Sequence, residues 1–429
     1  VTSVVISPAN VASYPEGGGH FWVYMQYVQA LLRLGCEVHW MERFRRTGDD
    51  DRDRATMERF MERMRAFGMA EKVILYTTRE TGETGETELP CDFVTTSRAE
   101  AERVIARADL LLNGYYAIEP ALLRRFRRTA LVDIDPGLLQ FWATCGQISI
   151  PAHDLYFTTG ETVGTDRARF GDCGVEWQRI RPPICLELWP YTYDPSSSVM
   201  TTVSGWWGGH GKGEWITDGK GLLFENNKRV TFMELVELPR RTPQALELAL
   251  CLGEGDPPER EQFQQRGHTW TPTAPCPDDL TDYQSDEKDR RILEYYGWRV
   301  THASRAAGTP QRYQRYIQRS RGEFSCAKPS CMYFQNAWVS DRTICYLASG
   351  KPVVVQDTGA SEYLPSGEGM FRFTTIEQAV EALARMNADY RRHCQAAREL
   401  AETYFNGRRI LAAMLDTALT PANVTRDAS

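Results

Sequence analysis

Residues 4–40, VVISPANVASYPEGGGHFWVYMQYVQALLRLGCEVHW, decide the architecture. A β-branched run at 4–6 leads through a glycine-rich stretch to Phe21, Tyr24, Met25, Val28, Leu31 and Leu32, which recur at helical spacing. Gly35 stands where such a helix stops, and 37–40 resumes as a strand. This is one βαβ unit. Further short apolar runs at 73–76, 110–112, 131–134 and 155–157 extend it into a doubly wound parallel sheet of the α/β class.

A chain of 429 residues exceeds what one hydrophobic core ordinarily organises, so two domains facing across a cleft are expected. The pattern breaks at Arg181, Pro182 and Pro183 and again at 193–198, YDPSSS, where proline fixes the backbone and serine favours solvated turns. Runs at 199–203, 245–250, 298–300, 352–355 and 371–373 then repeat the strand-and-helix alternation, so the second half has the same Rossmann-like design. The expected division is a first domain over 1–193, a second over 194–400, and a helical segment over 401–429 packing back on the first domain. Stretches 81–88 and 205–221 read as mobile loops.

Composition narrows the partners. With 57 acidic against 50 basic residues the net charge is −7, which opposes a long nucleic-acid footprint and favours small or neutral partners. No apolar run is long enough to cross a bilayer, so no integral membrane segment is expected. The first residues read as a core strand and not as a leader, and the 11 scattered cysteines fit reduced thiols, so a cytoplasmic location is expected. A homodimer is compatible with this composition. Cys326 and Cys331 lack the partners of a zinc site, and no metal site is expected.

Gly17, Gly18 and Gly19 lie between the first strand and its helix. Glycines let backbone amides approach a ligand, and a helix start favours an anion such as a diphosphate. The same run also fits an ordinary strand-to-helix connection. His20 follows directly: an imidazole held neutral at a helix start can take a proton from an attacking hydroxyl.

Residues 338–359, WVSDRTICYLASGKPVVVQDTG, read as a loop, a helix from about Asp341, a stop at Gly350 and a strand. Ser340 and Asp341 can cap that helix, while its first amides, to Thr343, and the Arg342 guanidinium can hold a departing diphosphate. Glu323 and Lys328 stand nearby in sequence as further donor contacts, or as a surface ion pair. Asp133 and Asp135 alternate to one face at a strand end, where Asp135 can orient a base, grip an acceptor or cap the turn that follows. Among the tryptophans, Trp206 is a candidate to stack on a sugar or base, although such residues mostly serve packing.

Two segments carry a resemblance. PEGGGHFWVYMQYVQALLRLGCEVHW (15–40) resembles the opening of GT-B glycosyltransferases, where a glycine–histidine pair precedes the first helix. YLASGKPVVVQDTG (346–359) is similar to their nucleotide-binding helix, strand and glycine turn. RGEFSCAKP (321–329) and FMELVELPRRT (232–242) add resemblance to a bacterial subgroup. The resemblance implies His20 as base, Trp206 near the donor at the end of the second domain's first strand, and Arg305 near the nucleotide base. Where many retaining members carry two glutamates, this chain has Ala337 and Cys345, which turns the expectation toward inversion and leaves ribose or phosphate to Asp341.

The implied activity is metal-independent transfer of a sugar from a nucleotide diphosphate sugar, a co-substrate and not a cofactor, to a hydroxyl of a small-molecule or glycan acceptor, with 1–193 as the acceptor-binding domain and 194–400 as the nucleotide-sugar-binding domain. A nucleotide-sugar epimerase or hydrolase of the same fold is the alternative enzyme. A non-catalytic nucleotide-sugar sensor is the alternative outside catalysis. A dehydrogenase fits less well, because the glycine run lacks the GxGxxG spacing.

Overall fold

The computed structural model describes residues 1–78, 91–208, 213–252 and 286–420. Stretch 81–88, expected as a loop, lies outside the described residues.

The first sheet is built from β1 (Ser3–Ser7), β2 (Glu37–Arg43), β3 (Val73–Thr78), β4 (Cys91–Phe93), β5 (Leu110–Asn113), β6 (Thr129–Asp133), β7 (Leu155–Thr158) and β8 (Trp177–Arg179). Their order is β4-β3-β2-β1-β5-β6-β7-β8, parallel except for the edge strand β4. Order reverses beside β1, the point at which doubly wound sheets open a crevice at their carboxyl ends. Alternation along β1 shows why both faces must be covered. Val4 and Ile6 pack with Phe21, Met25, Val28 and Leu31 on one side, and Val5 packs with Met41, Ile74, Ala101 and Ile105 on the other. Each fully buried aliphatic side chain contributes roughly 1.5–3 kcal/mol.

The second sheet contains β9 (Val199–Gly205), β12 (Ala245–Cys251), β13 (Arg299–His302), β14 (Gly322–Ser325), β15 (Val353–Gln356) and β16 (Met370–Phe373), all parallel in the order β13-β12-β9-β14-β15-β16. A separate hairpin pairs β10 (Trp215–Thr217) with β11 (Leu223–Glu225). Part of the stretch read as a loop over 205–221 is therefore strand. Ile216 from this hairpin is buried with Leu138 of the first domain and Phe334 of the second, which explains why so short a pair holds.

The helices that position the site are α1 (Gly18–Arg33), α2 (Leu138–Thr144), α3 (Lys228–Glu234), α4 (Ala303–Ala307), α5 (Pro310–Arg319), α6 (Pro329–Phe334), α7 (Asp341–Ala348) and α8 (Gly407–Leu419). One apolar cluster runs through both domains: Trp22 and Phe21 of α1 join Trp189, Tyr313 and Ile317 of α5, and Ile344 and Leu347 of α7. The C-terminal helix α8 lies on α1, where a Cβ on Gly407 would stand 3.2 Å from that of Ala30. The two sheets thus present their carboxyl ends to each other, with the loop after β1 facing the start of α7.

Candidate active site

Between the domains lies a cavity of about 930 Å³. Gly17, Gly18, Gly19 and His20 line it from the first domain, and Ser340, Asp341 and Arg342 from the second. The structure therefore brings together the two segments that sequence singled out 320 positions apart (His20 to Ser340).

The glycine run is explained first by packing. A Cβ on Gly18 would lie 2.2 Å from the carbonyl oxygen of Ala307, and one on Gly19 would lie 2.7 Å from the Tyr313 ring. Only glycine lets α1 begin this close to α4 and α5. Trp22 fixes the same contact by donating Nε1–H to the Pro310 carbonyl at 2.9 Å.

His20 Nε2 is 2.7 Å from the carbonyl oxygen of Ala9. A carbonyl only accepts, so Nε2 carries the hydrogen and Nδ1 keeps its lone pair. Burial holds the His20 pKa below its ordinary 6.5, against the opposing pull of the Ala9 bond and the Asp135 charge, so the ring is neutral near pH 7. The loop carrying Ala9 is held from beneath by Glu42. Its Oε1 accepts from Val11 N and Ala12 N at 2.5 and 3.0 Å, and its Oε2 accepts from Trp40 Nε1 at 2.9 Å. Burial raises Glu42 to about 7 despite those donors.

Asp133 and Asp135 do not act alike. Asp133 is buried and accepts from Gln140 Nε2, Thr158 Oγ1 and the Asp135 amide, while Asp135 is exposed beyond the strand end. Asp133 thus builds the turn that Asp135 was read as capping, and it is not free to pair with Asp135 around a metal. Among the described residues no group of three His, Cys, Asp or Glu side chains is placed to hold a metal ion. The Asp135 charge is felt by His20 and by Asp341 across the cleft, and burial together with Asp135 raises Asp341 to about 7.

The second wall departs from the sequence expectation in several places. Ser340 caps α7, its Oγ accepting from Arg342 N at 3.3 Å. Arg342 spends its guanidinium inside the domain: Nε donates to Glu323 Oε1 at 2.6 Å, Nη1 to the Val203 carbonyl at 2.9 Å, and Nη2 to Ser325 Oγ. Glu323 is fully buried, so it is the partner of Arg342 and not a donor contact. Thr343 is buried beneath the main cavity, lining a smaller void of about 30 Å³. Lys328 pairs with Glu214 at 3.0 Å.

Trp206 is fully buried and donates Nε1–H to Asp289, itself paired with Arg229 at 2.6 Å, so it cannot stack on a ligand. Its neighbour Trp207 lines the cavity instead. Arg305 is exposed on α4 and does not line the cavity, whereas His302 and Ser304 do.

Sequence reasoning also missed Lys228, the first residue of α3. Burial and then the charges of Arg342 and Lys328 lower its pKa to about 7. No ion pair offsets Lys228 among the described residues, so Lys228, Lys328 and Arg342 gather positive charge that is met by Glu214 on Lys328, Glu323 on Arg342 and, at longer range, Asp135. Nothing near Lys228 in sequence marks it, because the charges that single it out come from segments about 100 residues away (228 to 328 and 342).

No protein-family model matches the sequence, and no curated protein matches it. Solved structures do match over nearly the whole chain. An alpha-glucosyltransferase in complex with UDP-glucose and DNA containing an abasic site is 12% identical with a TM-score of 0.55, over 97% of this chain and 99% of that one. The Anabaena protein HepE in complex with UDP and glucose is 11% identical with a TM-score of 0.51, over 97% and 100%. A sucrose-phosphate synthase from Thermosynechococcus elongatus is 13% identical with a TM-score of 0.50, over 97% and 98%. Similarity at this level is similarity of architecture: the chain has the GT-B fold, two Rossmann-like domains opposed across a cleft, that these glycosyltransferases share.

Proposed function

We propose that this protein is a glycosyltransferase that moves a sugar from a nucleotide diphosphate donor, with a UDP-sugar as the first candidate, to a hydroxyl of a small-molecule or glycan acceptor. The observation that carries the reading is the interdomain cavity that sets His20, with Nδ1 unprotonated, opposite the start of α7. The UDP complexes among the similar structures support the choice of donor. The net charge of −7 supports an acceptor other than nucleic acid.

In this mechanism the donor lies against the second domain. Lys228, Lys328 and the first amides of α7 take the negative charge that grows on the diphosphate as the glycosidic bond breaks, without a required metal. His20 Nδ1 removes the proton of the acceptor hydroxyl as that oxygen attacks the anomeric carbon, and Asp135 orients the acceptor at the rim. Asp341, whose raised pKa lets it donate or accept a hydrogen bond near neutral pH, contacts the sugar or ribose. Attack from the face opposite the leaving group inverts the anomeric centre. Contact between the domains excludes water from the activated sugar.

Calorimetric titration with UDP, followed by a transfer assay with UDP-glucose over a panel of simple glycans and phenols, tests this. Binding plus an acceptor-dependent product of inverted configuration, read by NMR, is expected. Absence of binding to UDP and to the other nucleoside diphosphates would remove the reading.

A further inference from the structure

We infer that Asn336 is an interdomain positioning residue, whose side chain ties the turn that carries Asp135 to the connection that carries Asp341 and so sets how these two carboxylates face each other. Asn336 lies in the second domain between α6 and α7 and is 1% exposed. Its Nδ2 donates across the cleft to the carbonyl of Pro136, the residue after Asp135. Its Oδ1 accepts from Trp338 N at 3.1 Å, within the connection that leads to Asp341. One amide therefore spans from the neighbour of one carboxylate to the approach of the other.

The backbone is bent to aim it. Gln335 and Ala337, on either side, have φ of 51° and 55°, the left-handed region that side chains with a Cβ avoid. Gln335 ends α6 there, a common helix stop, but Ala337 has no such reason. Surrounding contacts hold the bend: Ala337 N donates to the Thr358 carbonyl, and a Cβ on Gly359 would stand 2.8 Å from the Gln335 carbonyl oxygen. The facing turn is shaped to receive the side chain. Gly137 has φ of 87°, and a Cβ there would lie 3.3 Å from Asn336 Nδ2. Beside it, Phe334 packs on Phe141 at 5.1 Å and Phe170 at 5.5 Å between ring centres, so the tie sits in an apolar interdomain seam.

A purely local role would need only Oδ1, which closes the turn to Trp338. The bond from Nδ2 serves the other domain. Asn336→Asp separates the two, because a carboxylate still accepts from Trp338 N but sets an oxygen against the Pro136 carbonyl.

The test compares the full chain with Asn336→Asp and Asn336→Ala, with Asn336→Ser read in place of either that does not fold. Solution X-ray scattering with and without UDP is expected to give a larger radius of gyration for the variants. The activity arm rests on the glycosyltransferase reading and follows UDP release from UDP-glucose in the presence of an acceptor on which the parent turns over. There kcat is expected to fall roughly 10- to 100-fold while KM for UDP-glucose stays near that of the parent. That split, turnover lost while the donor is still held, is a change that a general loss of packing would not produce. Unchanged scattering, unchanged kcat, or a loss of UDP affinity that matches the loss of turnover each overturns the inference. If the parent itself binds neither UDP nor another nucleoside diphosphate, the glycosyltransferase reading fails, and scattering alone decides the role of Asn336.

Discussion

Arg342 Nε stands 2.6 Å from Glu323 Oε1 inside the second domain, with Glu323 fully buried and Arg342 at 9% exposure. A buried pair of this kind is costly to break from one side, because the remaining charge has no water to return to. Glu323 Oε2 already lacks a partner among the described residues. Arg342→Ala is therefore expected to cost about 3–5 kcal/mol of stability, seen as a lower urea midpoint. The loss of nucleotide affinity would accompany that instability. An unchanged midpoint would return Arg342 to the role of a free phosphate ligand.

His20→Ala addresses the chemistry directly. Removing the base is expected to lower kcat by about 10²- to 10⁴-fold while UDP affinity stays near that of the parent, since His20 belongs to the other domain. Because burial holds the His20 pKa below 6.5, the parent should keep its active, neutral imidazole into mildly acidic solution, so the limb due to His20 lies below that value. Full turnover by a folded His20→Ala protein would end its assignment as base.

The two parallel sheets were largely legible in sequence because buried parallel strands are short apolar runs, and 4–6, 110–112 and 353–355 are such runs. What escaped were strands whose burial depends on partners far away. Gly322–Ser325 is fully buried yet reads GEFS, because Glu323 is neutralised by Arg342 from another segment. The hairpin at Trp215–Glu225 is held by Leu138 and Phe334, which no local pattern reveals. The same limit explains the tryptophans. Trp206 and Trp207 are the same residue type, and it is the buried Asp289–Arg229 pair together with the apolar cluster around Phe232 that takes Trp206 inward. Local signals did place Ser340 as a helix cap and His20 at a helix start, since both depend on neighbours within a turn.

Asp341 gives a stability test. Burial and Asp135 raise it in the folded protein to about 7, against an ordinary 3.8 for an unfolded chain. The folded state therefore binds this proton more tightly. The stability contributed is complete below the unfolded value and is lost as pH rises through about 7. Asp341→Asn keeps a neutral side chain at all pH values, so relative to the parent it should gain on the order of 2–4 kcal/mol at about pH 8 and much less at about pH 5. Thermal unfolding of both proteins at the two pH values reads the difference. An equal effect at both would mean that the carboxyl is not held protonated.

Lys228 offers the sharpest test of where the diphosphate sits. Its pKa is lowered to about 7 by burial and by Arg342 and Lys328, so near neutral pH part of the free protein carries it uncharged. A diphosphate bound among these three cations reverses the local field and draws a proton onto Lys228. UDP binding should then take up a fraction of a proton near pH 7, which calorimetry detects as a dependence of the binding heat on the ionisation heat of the buffer. Lys228→Ala should abolish the uptake and weaken UDP roughly 10- to 100-fold, the loss of a charge-assisted hydrogen bond of about 1.5–3 kcal/mol. Lys228→Arg separates charge from titration: a guanidinium stays protonated, so affinity should largely survive while the uptake disappears. If Lys228→Ala binds UDP as tightly as the parent and with the same proton uptake, the diphosphate lies elsewhere, and the charge gathered around α3 and α7 has another purpose.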